Sequence, residues 1–225
     1  MEMQRKNIAV IRAAAARLVE LMEAEKKRLA MELHERIGQT LTALSLNLSI
    51  IRGQVPDDPS EKIARRIDDS LKLVEEAMLN LRNIIAELRP PVLDDYGLLA
   101  ALRWYGEQFA SRTGIAVSVR GKEPDPRLSE NAEINLFRIA QEAFNNVEKY
   151  ARATQVRVTL TKRKETVRLL IADKGTGFDP SRVALPDGQR WGLLGMSERA
   201  EYLGGRCIVR SHPAKGTRVI AEVAS

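Results

Sequence analysis

Four short stretches of this sequence hold side chains whose types and spacing could do chemistry. In ELHERIGQ, His34 is followed by Glu35, Gly38 and Gln39. A neutral imidazole is a nucleophile near pH 7 because its unperturbed pKa is about 6.5, and a nearby carboxylate favours charge build-up on the ring. In EAFNNVEK, Glu142, Asn146 and Lys149 are spaced four and three apart, one face of an α-helix. An acid beside an amide can hold a hydrated divalent cation, and a lysine one turn on can meet a phosphate. The same spacing also suits a solvated polar stripe. In DKGTGF, Asp173 precedes Gly175 and Gly177. This is either a plain turn or an acid that reads a nucleobase amine beside backbone left open for a ligand. In GLLGM, Gly192 and Gly195 stand at the start of a helical pattern, where free amide N–H groups could meet an anion. That stretch lacks the spacing of a phosphate-binding P-loop.

The elements that must position these residues are legible in the apolar periodicity. From Ile8 through Ile11, Ala15 and Leu18 to Leu29, Leu33, Ile37, Leu41, Leu44, Leu48 and Ile51, apolar residues mostly alternate steps of three and four, as in a helical bundle seam. Between Leu29 and Leu41 the steps are four, four and four, which predicts a local change of supercoil around His34. Pro56 to Ser60 read as a turn with Ser60 as N-cap. A second helix carries Ile63, Ile67, Leu71, Val74, Met78, Leu81, Ile85 and Leu88 and stops at Pro90-Pro91. Such a hairpin cannot hide both apolar stripes alone, which predicts a homodimer built as a four-helix bundle. Beyond it, GLLAALRWYGEQFASRTG reads as a helix closing at Gly114 and IAVSVRG as a strand. A long helix capped by Ser129 follows, then a strand pair ending at Asp173, a helix ending at Gly204-Gly205, and a last strand pair. The expected fold is a helical hairpin over residues 1–90, then an α/β sandwich over 91–225 with helices on one face of a mixed sheet.

Composition narrows the function classes. The chain of 225 residues is 44% hydrophobic but only 4% aromatic, which suits helix packing. Its charge of +6 is spread through stretches such as KKRLAMELHER where acids alternate with bases. These read as solvated helix faces, so no direct nucleic-acid contact is expected. The single cysteine, Cys207, cannot form an intrachain disulfide or a multi-cysteine metal site, pointing to a reducing, cytoplasmic setting. No apolar run approaches the roughly 20 residues of a membrane span. A membrane or sensor segment upstream of Met1 remains compatible with this sequence. His212, before Pro213, reads as a loop residue.

The order of the stretches is more specific than any one of them. EAFNNVEKY, DKGTGF, GLLGM and KGTRV resemble, in sequence order, the nucleotide-binding boxes of the GHKL (Bergerat-type) ATPases. ELHERIGQ resembles the phosphoacceptor box of the sensor histidine kinases related to the nitrate and membrane-fluidity sensors, and LRPPVLDDYGLLAAL resembles their interdomain junction. The resemblance runs from about Glu25 to Val223.

The resemblance implies a kinase that uses ATP and Mg²⁺, phosphorylates His34 and passes the phosphoryl group to an aspartate of a response regulator receiver domain, usually joined to a helix-turn-helix output domain. Glu35 would accept a proton or orient the ring, and Gln39 would position water to dephosphorylate the regulator. Asn146 would ligate the metal, with Glu142 holding its water shell and Lys149 on phosphate. Asp173 would accept from the adenine amino group, with Gly175 and Gly177 shaping the pocket and Thr217 nearby. Gly192, Leu193, Gly195 and Met196 would belong to the lid over the nucleotide. Tyr150 stands where the subfamily often has histidine. Independently of the resemblance, Gly38 lies one turn beyond His34 on the same face, and a glycine that costs about 1 kcal/mol against alanine is expected to leave room for the incoming phosphate or regulator.

Overall fold

The computed structural model describes residues 21–54, 61–179 and 187–224. The apolar positions Ile8 to Leu18 and the turn Pro56 to Ser60 lie outside these residues. The chain divides into two compact units, Met1–Pro91 and Val92–Ser225.

In the first unit, helix α1 runs over residues 21–54 and helix α2 over Glu61–Leu88. They pack as a hairpin. Ala30, Leu81 and Ile85 are buried at its core, with Leu33, Leu41 and Leu88 packed against them. Further along, Arg52 Nε donates to Asp68 Oδ1 at 3.2 Å. α1 is not α-helical throughout: Leu33–Gly38 form a π-helical turn, which closes i→i+5 bonds and so holds more residues per turn. The turn falls in the run of four-residue steps. Its wider phase separates residues that the periodicity places on one seam, for Ile37 is 44% exposed although Leu33 and Leu41 face the core. Two hydroxyls bond back into the turn, Thr40 Oγ1 to the Arg36 carbonyl and Thr42 Oγ1 to that of Gly38, each at 2.8 Å.

The second unit has the predicted sandwich. Helix α3, Pro91–Thr113, starts on a proline, whose fixed φ suits a first helical turn. It bends at Gly97, and the Glu123 carboxylate caps the segment beyond, accepting from Leu98 N at 3.0 Å and Leu99 N at 2.7 Å. β1 (Ala116–Gly121), helix α4 (Glu130–Asn146) and β2 (Gln155–Arg163) follow. Then come β3 (Thr166–Asp173), helix α5 (Asp187–Tyr202), β4 (Arg206–Ser211) and β5 (Thr217–Ala224). The sheet order is β1-β2-β3-β5-β4, with β1 parallel to β2 and the other pairs antiparallel. Ser129 caps α4, its Oγ accepting from Ala132 N at 3.2 Å.

Alternation along the strands decides the faces. Val156, Val158, Leu160, Val167, Leu169, Ile171, Val219, Ala221 and Val223 are buried in one core with Leu98, Leu102 and Phe109 of α3 and Phe137 and Phe144 of α4. Tyr105 meets Phe137 and Phe144 edge-on at 5.5 Å, and Phe109 meets Phe144 at 4.8 Å. Each such pair adds about 0.5–1.5 kcal/mol beyond area burial. This packing fixes α4, the helix that carries Glu142 and Asn146. Cys207 faces the same core, and burial pushes its thiol up to about 11, so it stays protonated and inert.

Candidate functional site

One end of α4 and the ends of β3 and β5 enclose a cavity of about 170 Å³. Ala143, Asn146 and Val147 line it from the helix, Ile171, Thr217 and Val219 from the sheet, and Leu193 from α5. α4 does not end at Asn146. It passes into a π-turn, Val147–Ala151, that delivers Tyr150 and Ala151 to the cavity wall. This second π-turn also alters the predicted polar face. Glu142 and Asn146 remain neighbours, with Asn146 Nδ2 donating to Glu142 Oε1 at 3.3 Å. Lys149, past the change of phase, is exposed and is not part of the lining.

Asp173 ends β3 with its side chain turned to the core side of the sheet, nearly buried at 9% exposure. Gly175 N donates to its Oδ1 at 2.8 Å and Thr217 N to its Oδ2 at 3.2 Å. Burial raises its pKa, and these backbone bonds oppose the rise. The loop beyond is set by close backbone approach. A Cβ at Gly175 would strike the Ala151 carbonyl, the same oxygen that accepts Thr176 N at 2.8 Å. Gly177 has φ 58, and a Cβ there would strike the His212 carbonyl. Buried Ser211, unremarked in the sequence, fastens this loop: its Oγ accepts from Phe178 N at 2.9 Å and lies 2.9 Å from Thr217 Oγ1.

Gly192 and Gly195 fall inside α5, not ahead of a helix N-terminus as their spacing suggests. The helix starts earlier, at Asp187, so the amides of GLLGM lie beyond its first turn. Gly192 instead gives room to Glu142, whose carboxylate fills the space a Cβ would take. Leu193 reaches the cavity, while Met196 is buried in the core.

In the first unit, His34 and Glu35 are both exposed on the π-turn of α1. Neither has a hydrogen bond or ion pair among the described residues. Consecutive helix residues point in different directions, and Glu35 is placed with Gln39 instead. These two line a shallow depression with Arg28, Glu32 and Arg36. An ion-pair ladder braces that face, with Glu32 held by Arg28 at 3.1 Å and by Arg36 at 3.0 Å.

Two protein-family models match this arrangement: histidine kinase over residues 25–93, and histidine kinase-, DNA gyrase B- and HSP90-like ATPase over residues 131–224. The chain belongs to the histidine kinases. The signal transduction histidine-protein kinase/phosphatase DegS of Brevibacillus brevis is 32% identical over 94% of this chain and 54% of its own length. The oxygen sensor histidine kinase NreB of Staphylococcus carnosus is 33% identical over 99% of this chain and 62% of its own. The chain thus spans only part of the curated relatives it matches. Among solved structures, the histidine kinase domain of a blue-light activated histidine kinase from Erythrobacter litoralis aligns with TM-score 0.49 at 15% identity, covering 82% of this chain and 94% of its own.

In this histidine kinase chain a polar seam joins α4 to α5. Asn135, 4% exposed, accepts at its Oδ1 from Arg199 Nη1 at 3.2 Å and donates to Asn131 Oδ1 at 2.8 Å. Asn131 in turn donates to Tyr202 Oη at 3.3 Å. Asn135 precedes Glu142 by two helical turns, and Arg199 follows Gly192 by two, so seam and site share one helix–helix line. The sequence signal for Asn135 is only a polar residue on the buried side of an amphipathic pattern. Among the described residues no group of three or more acids, histidines or cysteines could hold a metal. Glu142 and Asn146 offer two oxygen donors, which suits an ion drawing its remaining ligands from phosphate and water.

Proposed function

We propose that this chain is the catalytic core of a two-component sensor histidine kinase. Its phosphoacceptor is His34, its nucleotide site is the cavity around Asp173, and its product is a phosphoryl group handed to an aspartate of a response regulator. The observation that carries the reading is Asp173: a nearly buried carboxylate with both oxygens fixed by backbone N–H groups at the end of a small, mostly apolar cavity. Such a group reads an exocyclic amine in a planar ring. At about 170 Å³ the cavity takes the base, while ribose and phosphates extend past Tyr150 and Leu193 toward Glu142 and Asn146. Asn146 would offer an amide oxygen to Mg²⁺ and Glu142 a carboxylate toward its water shell, and the ion would supply charge neutralisation on the phosphates.

Phosphoryl transfer through a loose transition state needs alignment more than covalent help. The exposed imidazole of His34 needs no removal of a partner before attack. With Glu35 directed elsewhere, proton acceptance by that carboxylate calls for a side-chain rotation. Gln39 shares its depression with Glu35, placing an amide and a carboxylate where a water could be held against a docked regulator. This supports dephosphorylation of the regulator alongside transfer to it. Residues 1–90 serve as dimerisation and phosphoacceptor hairpin and 91–225 as ATP-binding domain, each chain pairing with a second copy.

The test is incubation with γ-labelled ATP and Mg²⁺. The expected product is one acid-labile, base-stable phosphate on the wild-type chain and none on His34→Ala, with ADP affinity equal in both. ATP hydrolysis without protein labelling would instead identify a non-kinase ATPase of the same fold.

A further inference from the structure

We infer that the open face of the sheet carries a second anion site, behind the adenine pocket, that takes a compact group bearing two or more phosphates. The inference rests on the proposed function only in taking the cavity at Asp173 as the nucleotide site. Most of the chain's positive excess belongs to the second unit, and the sheet register shows where part of it gathers. One row across the outward face reads Ser118, Arg157, Ala172, Arg218 and Arg210. Arg210 and Arg218 stand directly opposite each other, an arrangement that costs stability between antiparallel strands. None of these three arginines has a hydrogen bond or ion pair among the described residues.

Two rows away the same face is built differently. There Glu222 stands between Arg168 and Arg206, 3.7 Å from Arg168 Nε and 2.6 Å from Arg206 Nη2. The sheet therefore balances arginine with an interleaved acid in one row and leaves three unbalanced in the other.

The unbalanced row has a shaped notch. Ala172 provides a short floor between Arg157 and Arg218, whose strands are two apart, roughly 10 Å. Two long guanidinium side chains can close over one anion from that distance, and their planar donors fit oxyanions in pairs. Lys174 and Lys215 stand at the rim, and the depression they complete measures about 400 Å³. Asp173, the one acid on its lining, has its oxygens engaged by Gly175 N and Thr217 N. The outward strand positions include no aromatic residue, so there is no platform for stacking bases. Four cations around an alanine floor match clustered phosphates.

The full chain, saturated with ADP, would be titrated calorimetrically with inorganic tripolyphosphate and separately sedimented with vesicles containing phosphatidylinositol bisphosphate. The expected result is one tripolyphosphate per chain in the presence of ADP. Its affinity should fall tenfold or more in Arg157→Gln/Arg218→Gln and less than twofold in Arg168→Gln/Arg206→Gln, with ADP affinity unchanged in both. Vesicle retention lost only in the first pair would support the same site reading a lipid headgroup. Absence of binding to both probes, binding only without ADP, or equal loss in both variant pairs would overturn the site. So would tighter binding of a poly-glutamate peptide than of tripolyphosphate, which would mark the row as a contact for an acidic protein.

Discussion

The carboxylate of Glu142 lies where a Cβ on Gly192 would have to be. The first glycine of GLLGM therefore acts through what it omits, letting α5 approach the helix that holds Glu142 and Asn146. Alanine at this helical position gains up to about 1 kcal/mol in propensity but must push the Glu142 carboxylate aside. Gly192→Ala should keep or slightly raise the melting temperature while autophosphorylation slows at least tenfold. Thermal unfolding and a labelled-ATP time course check the two arms, and an unchanged rate would remove Glu142 from the reaction.

The Asn135–Arg199 hydrogen bond sets the same two helices further from the cavity. Asn135→Leu removes a buried amide's hydrogen bonds to half-buried Arg199 and exposed Asn131, a cost of about 0.5–1.5 kcal/mol for each bond lost. The expected outcome is a lower melting temperature together with several-fold weaker ADP binding, because Leu193 on α5 forms part of the cavity wall. A variant that loses stability yet binds ADP normally would show that the seam is structural only.

Asp173 gives a pH signature. Burial raises its pKa above the ordinary carboxylate value of 3.8. The sign follows from the folded state holding the proton more tightly than the unfolded one. The stability this contributes is complete below the ordinary pKa and lost as pH rises through the raised one. Nucleotide affinity runs the other way, since a protonated acid cannot accept at both oxygens. ADP binding should therefore weaken in acid starting above the pH of an unperturbed carboxylate. Asp173→Asn should bind at least tenfold more weakly and lose that acid limb, as isothermal titration across pH would show.

Much of this architecture was legible because local rules and tertiary packing agree. Alternation marked the strands, Ser129 marked the start of α4, and Pro90-Pro91 marked the end of α2. What stayed hidden depends on phase and on contacts distant in sequence. A four-residue step is legal in an α-helix, so the run from Leu29 to Leu41 predicted a disturbance near His34 but not a π-turn. The same ambiguity affects Lys149, because the turn at Val147–Ala151 changes the helical phase after Asn146. GLLGM read as preceding a helix because glycine weakens helices, and only the Glu142 contact explains glycine within one. Ser211 and Asn135 carry no local pattern, as the contacts by which they fasten the loop and α5, to Phe178 and Arg199, are 33 and 64 residues away.

The outer side of the hairpin predicts pairing of two copies. Ile37, Leu44 and Ile51, spaced by sevens, are 44%, 45% and 48% exposed, while Ile67, Val74 and Leu81, equally spaced on α2, are buried. A heptad line left in water is the seam of a bundle lacking its other half. Leu44→Lys should convert a dimer to monomer at micromolar concentration in light scattering while leaving ADP affinity intact. A wild-type chain that is already monomeric would defeat the prediction before the variant is made.

Gly38 closes the π-turn that holds His34, and a Cβ there would meet nothing within 4 Å. The packing of the described residues thus gives no reason for glycine at a site where alanine favours the helix by about 1 kcal/mol. What the missing side chain leaves free is the surface one turn from the histidine, where, on the proposed function, an incoming phosphate or regulator would pass. Gly38→Ala should therefore fold at least as stably as wild type, yet slow autophosphorylation or transfer to the regulator. Measuring both rates separates the visitors: loss in both points to the phosphate, and loss in transfer alone points to the regulator. Wild-type values for both would show that the space is not used, and that glycine serves only to let the helix open into its wider turn.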